Sequence, residues 1–389
     1  MSTAHYLMKL VHDILEALDN NQGGDINAAI ATFYDWSKAF DMQCHKLGID
    51  SFIECGVRSS LIPILVSYLQ DRKMTVNYRS SSSSERTLPG GGAQGTLLGP
   101  IEYSCQSNKS ANIVRPDRRY KFVDDLTTIE IISMATKIVS YNLHHHVPSD
   151  IGTHNQFLPT DETTTQNVVN NINDWTNKQK MKLNVTKTKY MVVNFTKNYQ
   201  FYTRISLDGT VLDCIDQIRL LGIELKNDLT WRSNTEFITK KAFARMSLLR
   251  KLAGFGVKLN DLVLYILFIR SLLDYCSVVW HSTITVEEIN DLERVQKCAM
   301  RIILGKNYLS HENALVKLNL EKLKDRRQSL CLEFAKKCVN NPKTKNWFPK
   351  TPKNEHNLRK QEEFIVTYAN NERFRMSSIP YLQRLLNDN

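Results

Sequence analysis

Two aspartates are the first residues in the chain whose type and spacing could do chemistry. Asp35 and Asp124 stand 89 positions apart, each at the end of a strand-like run, where packing alone would favour an apolar residue. Carboxylates brought together at strand ends repel one another unless cations lie between them, and hard oxygen ligands of this kind suit Mg2+. Two such ions ~3.5–4 Å apart activate an attacking hydroxyl and steady a leaving pyrophosphate during an in-line displacement. Asp125 follows directly. An Asp-Asp step by itself is the ordinary currency of a solvated hairpin bend. Its conjunction with Asp35 is what points to a metal site.

The elements that must position these residues can be read from the pattern around them. The apolar and aromatic run Ile26 to Trp36 predicts a strand that delivers Asp35 at its end, and Tyr120 to Ile132 predicts a hairpin with Asp124 and Asp125 at the bend. Ahead of the first strand, Leu7, Leu10, Val11, Ile14, Leu15 and Leu18 fall at helical spacing, and the breaker run Asn20 to Gly24 ends that helix. A second helix is expected from Ser59 to Leu69, and the serine run 80–84 reads as a loop between short strands. His144 to Thr165 reads as a loop, Gln166 to Trp175 as a helix, and Met191 to Phe195, Ile205 to Leu207 and Gln217 to Glu224 as strand-like pieces. Beyond Trp231 the pattern is helical throughout. Ile238, Ala242, Met246, Leu249 and Leu252 share one face, Asn260 is placed to cap a helix through Trp280, and Thr285 to Glu288 form a capping box opening a helix that stops at Gly305.

With 42% hydrophobic and 23% charged residues in 389, the chain has enough apolar material to close a core, which excludes wholesale disorder. Its net charge of +11 is unevenly spread: residues 231–389 hold 28 basic and 16 acidic side chains, and residues 1–230 hold 23 and 24. A lopsided basic field favours a polyanionic partner over an acidic small molecule. The longest apolar candidate, Leu262 to Leu273, is interrupted by Arg270 and falls short of the ~20 residues a membrane span needs. The first ten residues lack the order of a secretory signal. Eight cysteines without a Cys-x-x-Cys pair or regular spacing read as reduced thiols of an intracellular protein, with neither a disulfide framework nor a zinc site. The run His144 to His146 reads as loop, because three adjacent positions do not easily converge on one ion.

The residues around the aspartates resemble a family. Phe33 to Asp41 (FYDWSKAFD) resembles the first catalytic-carboxylate motif of reverse transcriptases from non-LTR retrotransposons, and Lys121 to Asp125 (KFVDD) resembles their Tyr/Phe-x-Asp-Asp box. Gly92 to Pro100 (GAQGTLLGP) is similar to the template-and-nucleotide motif, and Asp174 to Asn177 with Met181 to Lys189 to the next palm motif. Leu220 to Ile223 with Leu229 to Trp231 resembles the primer-grip hairpin. The likeness runs from about Tyr6 to Leu304, and five ordered motifs form a specific signal where one would be weak.

The resemblance implies an α+β chain: a right-hand polymerase palm with an antiparallel sheet over 1–232, an all-helical thumb-like bundle over 233–340, and a basic, partly helical C-terminal tail over 341–389. It implies an RNA-directed DNA polymerase that extends a DNA primer on an RNA template with deoxynucleotides and two Mg2+ ions, with no membrane and no obligate protein partner. Asp35 and Asp124 would hold the metals beside Asp125, and Lys187 would serve near the pyrophosphate. Phe40 would screen the ribose 2′-hydroxyl, and Gln94 and Gly95 would admit template and nucleotide. Core aromatic for Phe40 and surface lysine for Lys187 are the structural alternatives. The chain also departs from the pattern. Only 34 residues precede Asp35, so the fingers are expected to be largely missing, and neither an endonuclease domain nor a Cys/His knuckle is expected. Ala93 stands where the family has proline, and Glu102 to Asn112 is polar where the family is apolar. A core-facing strand could not carry that run without unpaired buried groups. The alternative function is a catalytically inactive retroelement remnant that at most binds nucleic acid.

Overall fold

The computed structural model describes residues 2–19, 26–88, 90–92, 95–108, 118–134, 156–157, 162–195, 200–201, 203–255, 263, 265–352 and 362–389; Gln94, Asn260 and the histidines 144–146 lie outside them. The architecture is α+β with a mainly antiparallel sheet. The chain divides into two compact units, residues 23–215 and residues 1–22 with 216–389. It begins with helix α1 (Thr3–Asp19), which belongs to the latter unit.

The unit 23–215 contains β1 (Ile26–Tyr34), α2 (His45–Glu54), α3 (Ile62–Leu69), α4 (Leu98–Asn108), β2 (Arg119–Phe122), β3 (Asp125–Met134), α5 (Glu162–Lys178), β4 (Lys189–Val193) and β5 (Asp213–Cys214). Its sheet runs in the order β5-β4-β1-β3-β2. Strand β1 is antiparallel to both β3 and β4, and β5 adds a short parallel edge. Every residue of β1 from Ala28 to Tyr34 is buried, which is why this strand reads as a continuous apolar run and not as an alternation. Ile30 and Tyr34 join Leu126, Ile132 and Tyr190 in one core with Val168, Val169, Ile172 and Trp175 of α5. Burying each such side chain is worth roughly 1.5–3 kcal/mol relative to exposure. The expected 120–132 hairpin is β2 and β3, and the serine run differs from expectation in that Ser81–Ser82 is itself a short strand paired with Asn77–Tyr78.

The polar stretch after Pro100 forms helix α4 over its described part. The helix satisfies the backbone, but the side chains remain a problem. Among the described residues, both carboxylate oxygens of buried Glu102, Oε1 of Gln106 and Oη of Tyr103 have no hydrogen-bond partner. The pattern's expected cost in unpaired groups therefore appears in side chains.

In the other unit, the hairpin β6 (Gln217–Leu220) and β7 (Ile223–Lys226) precedes α6 (Arg232–Gly254), α7 (Ser271–Asp274), α8 (Ser277–Trp280), α9 (Val286–Leu304), α10 (His311–Lys317), α11 (Leu323–Val339), α12 (Glu372–Arg375) and α13 (Ser378–Asn387). On α6 the expected face is buried at Ile238, Ala242, Met246 and Leu249, and α6 packs on α9. Helix α9 carries the expected capping box at Thr285 and Glu288 and ends at Gly305. One expected helix is broken. Before Trp280 the chain makes a π-helical turn over Tyr265–Arg270, then α7, then a kink at Cys276 with φ +49 before α8. The kink is held by Trp280 Nε1 donating to the Tyr275 carbonyl and Tyr275 Oη donating to the Leu221 carbonyl. Helix α1 buries Leu7, Leu10, Val11, Ile14 and Leu15 and packs against α8, α12 and α13. The Asp19 carboxylate accepts the backbone N–H groups of Asn370 and Asn371, and the side chains of Phe348, Phe364, Phe374, Ile379 and Leu382 are buried in the same unit. No helix among the described residues is long and apolar enough to cross a membrane.

Candidate active site

Strand register assembles the carboxylates. Tyr34 pairs with Leu126 across β1 and β3, and Phe122 pairs with Asp125 across β2 and β3. The next position after Tyr34 is Asp35, so it emerges beside Asp125 and the tight turn Val123–Asp124. Val123 takes φ +56 there, an uncommon backbone state for a β-branched residue. A segment that the sequence did not mark as structural support holds Asp35 from the far side. Its backbone N–H donates to Thr188 Oγ1 at 3.3 Å, its carbonyl accepts the Asn184 N–H at 2.7 Å, and Trp36 bridges Leu183. The same segment carries Lys187, whose Nζ lies 3.8 Å from Asp35 Oδ2. Both side chains are open to solvent, so the ion pair itself is worth little; its interest is position.

The electrostatics show crowding. Burial, then the nearby charges of Asp124 and Asp35, push the Asp125 carboxyl up to about 6. Tyr103 of α4 feels the same three acids. Burial first, then Asp124, Asp125 and Asp35, raise its phenol above the usual range, so the hydroxyl stays protonated. Tyr103 is fully buried, its Oη lacks a partner, and its ring lies 4.9 Å from that of half-buried Phe40. Sequence reasoning missed Tyr103. The signal available was an aromatic within an otherwise polar run.

The glycine-rich segment docks on the loop after β1. Gly92 N–H donates to the Phe40 carbonyl at 2.7 Å, Gly91 N–H to the Gln43 carbonyl at 2.8 Å, and His45 Nε2 lies 2.9 Å from the Gly91 carbonyl oxygen. A Cβ on Gly92 would fall 1.9 Å from Gln43 Oε1, so any larger residue here would have to displace the Gln43 side chain. Gly95 follows, exposed, with φ +78. The structure thus brings Asp35, Asp124, Asp125 and Lys187 together and links Phe40 to them through Tyr103. Of the two nucleotide-motif residues, Gly95 is described and Gln94 is not.

The donor set suits a hard divalent cation. It consists of carboxylate oxygens whose mutual repulsion raises Asp125, and a cation would relieve that repulsion. Asp35, Asp124 and Asp125 stand wider than a trio with ligand atoms all within 4.8 Å of one another; among the described residues that spacing is met by His12, Asp13 and Glu16 on α1. There Lys9 already pairs with Asp13, and burial, then the Lys9 charge, depress His12 to about 3.

No protein-family model matches the chain. Over 252 residues, 64% of its length, it is 27% identical to a Drosophila melanogaster protein named a probable RNA-directed DNA polymerase from transposon BS, covering 25% of that protein. Over 106 residues, 27% of its length, it is 30% identical to a probable RNA-directed DNA polymerase from transposon X-element of the same organism, covering 11% of it. Among solved structures it is similar to telomerase from Candida albicans in complex with a telomeric RNA fragment, with TM-score 0.36 and 13% identity over 89% of this chain and 54% of that one. It is also similar to apo telomerase from Candida tropicalis, with TM-score 0.39 and 12% identity over 83% and 50%. The chain spans about a quarter of the length of the transposon BS protein. By sequence, it is similar over part of its length to two proteins named as probable transposon-encoded RNA-directed DNA polymerases.

Proposed function

We propose that the chain carries the catalytic part of an RNA-directed DNA polymerase of a non-LTR retrotransposon, with the unit 23–215 as palm and the helices after Trp231 as thumb. The observation that carries this reading is the meeting of Asp35, Asp124 and Asp125, with Lys187 alongside, from segments far apart in sequence. Asp35 and Asp124 would hold two Mg2+ ions, with Asp125 beside them. When bound, the ions supply Lewis-acid activation of the primer hydroxyl and charge neutralisation at the phosphates. The protein's own groups do the positioning. Lys187 sits where a cation can meet the leaving pyrophosphate, Phe40 sets a ring against the sugar edge of an incoming deoxynucleotide, and Gln94 and Gly95 let the backbone approach template and nucleotide. RNA template and DNA primer are the partners, and the basic surplus of 231–389 suits their phosphate backbones. The setting is intracellular.

Primer extension on an RNA template tests the reading. Mg2+-dependent incorporation of deoxynucleotides is expected, and Phe40→Ala should lower the preference for deoxynucleotides over ribonucleotides by ~10-fold or more, a pocket-shape effect of the usual size. Unchanged sugar selection would return Phe40 to a packing role. A second reading, an inactive remnant, is favoured by one feature: the unpaired buried atoms of Glu102, Tyr103 and Gln106 on α4, next to the carboxylates. No extension by the folded chain, with nucleic-acid binding retained, would select it.

A further inference from the structure

Helices α2 and α4 meet along a tight seam in the unit 23–215. At Gly48 a Cβ would fall 2.6 Å from Glu102 Oε1. On α4, Cys105 is three residues after Glu102 and so lies on the same helical face. On the other side of the seam, Cys55 caps the C-terminus of α2, seven residues and about two turns after Gly48. Each helix therefore brings a cysteine toward the same line of contact between α2 and α4, and the Cys55 thiol acts on that of Cys105. Both are free, Cys55 exposed and Cys105 half-buried. A third group completes the cluster. Lys121 of β2 acts on Cys105 through its charge and donates from Nζ to Ser107 Oγ at 2.6 Å, close by on α4.

We propose that Cys55 and Cys105 are a redox modification site, a dithiol that a peroxide-class oxidant closes into a reversible disulfide between α2 and α4. The proposal is independent of the polymerase reading. The exposed Cys55 meets the oxidant. Its thiolate sulfur attacks one peroxide oxygen, the S–O bond forms as the O–O bond breaks, and the departing hydroxide takes a proton to leave as water. Cys105 sulfur then attacks the Cys55 sulfur, the S–S bond forms as the S–O bond breaks, and the second hydroxide leaves with the proton given up by Cys105. The balance is two thiols and one peroxide to one disulfide and two waters. Resolution needs a proton acceptor, because burial and the neighbouring thiol push Cys105 up to about 11. Lys121 can accept that proton, since burial holds its ammonium down to about 8 and a share of it is a free amine near neutral pH. A thiol of this kind resolves slowly without such help. Closing a bond of ~2.05 Å requires the seam between α2 and α4 to bring the two sulfurs together.

The test is differential alkylation of the full-length chain. The reduced protein is given hydrogen peroxide at low molar excess, remaining thiols are blocked with N-ethylmaleimide, and a non-reducing digest is read by mass spectrometry. A cross-linked peptide joining Cys55 to Cys105, lighter by two hydrogens and cleaved by dithiothreitol, should form ahead of any other pairing among the eight cysteines. Cys105→Ser should leave Cys55 as a sulfenic acid that dimedone traps, and Cys55→Ser should leave Cys105 alkylatable. A folded wild-type chain, by circular dichroism, in which both thiols stay labelled overturns the proposal. So does a bridge that forms only in urea, or one no faster than pairings of the other six. Because the wild-type chain alone decides these outcomes, a variant that fails to fold does not protect the proposal.

Discussion

Two buried glutamates, one in each unit, face the same physical problem with opposite outcomes. Glu288 on α9 is 3% exposed, and its carboxylate accepts hydrogen bonds from Thr285 N–H at 2.7 Å, Thr285 Oγ1 at 2.8 Å and Thr235 Oγ1 at 3.2 Å. Glu102 on α4 is 0% exposed and neither of its oxygens has a partner. Burial pushes its carboxyl up to about 7, with the charge of Arg72 pulling the other way. A buried carboxylate with three donors fixes a helix start; one with none favours the proton. The surroundings follow suit. Near Glu102, Gln106 Oε1, Tyr103 Oη and both amide atoms of Gln43 are unsatisfied, and the acids beyond them crowd one another. The Glu288 carboxylate completes its contacts within the fold, whereas the Glu102 carboxylate and the acids beyond it leave charge that a cation would offset.

The largest expected effect is on the crowded acids. Asp35→Asn or Asp124→Asn should lower Mg2+-dependent primer extension by at least ~10³-fold, since an amide cannot supply the several kcal/mol of charge stabilisation that a metal brings to the transition state. Extension that survives either change would mean that the acids are merely crowded, and the contrast with α9 would lose its functional meaning. On the other side of the comparison, Glu288→Ala removes a helix cap and strands two threonine hydroxyls and a backbone N–H. A cost of about 2–3 kcal/mol in urea unfolding is expected. A cost under half of that would show that α9 does not depend on its box.

Much of this was legible in the chain, for physical reasons that differ by residue. Strand β1 announced itself because a strand buried on both faces needs a continuous apolar run, and an aspartate at the end of such a run is conspicuous. The capping box of α9 was legible because its chemistry is local, spanning four residues. Tyr103 was not, since its importance comes from Phe40, Asp35 and Asp124, which the fold brings to it from elsewhere in the sequence. Nor was the break before Trp280, because the kink at Cys276 depends on Tyr275 reaching the Leu221 carbonyl, a contact no periodicity encodes. Thr188 and Asn184 fall in the run that resembles a palm motif, but nothing local in that run shows that they hold the backbone of Asp35.

Glu102 gives a pH-dependent form of the comparison. Its folded carboxyl, at about 7, lies above the ordinary value of 4.5, so the folded chain binds the proton more tightly than the unfolded one. Stability should then fall as pH rises from about 4.5 to about 7 and level off above, by up to ~3 kcal/mol from this group. Asp125, raised from 3.8 to about 6, slopes the same way over its own window, so the informative quantity is the difference between wild type and Glu102→Gln. The variant should be flatter from pH 5 to 8 and more stable by ~1–2 kcal/mol at pH 8, the gain being reduced because its amide is also unpaired. Parallel stability curves for the two proteins would show that Glu102 has found a partner in solution.

Two buried tyrosines carry the smallest effect and isolate hydrogen bonding from charge. Tyr265 donates from Oη to Gln296 Oε1 at 2.7 Å in the unit that contains α9, whereas Tyr103 Oη, equally inaccessible, has no partner. Removing the hydroxyl from Tyr265 forfeits a bond and orphans an amide oxygen, so Tyr265→Phe should cost about 1–2 kcal/mol. Removing it from Tyr103 forfeits nothing in the folded chain and spares the desolvation of an unmatched hydroxyl, so Tyr103→Phe should be neutral or stabilising by up to ~1 kcal/mol. Its ring still stacks on Phe40, so circular dichroism and the cooperativity of urea unfolding should not change. Urea midpoints of the two variants against wild type, without divalent cation or nucleic acid, read both effects in one experiment. A loss at Tyr103 as large as that at Tyr265 would mean the hydroxyl is bonded in the folded chain, and α4 would then be no less complete than α9. A neutral or positive result leaves a protonated donor near Asp35, Asp124 and Asp125 that makes no hydrogen bond among the described residues. Adding Mg2+ with primer-template and nucleotide should then reverse the order, making wild type the more stabilised of the pair.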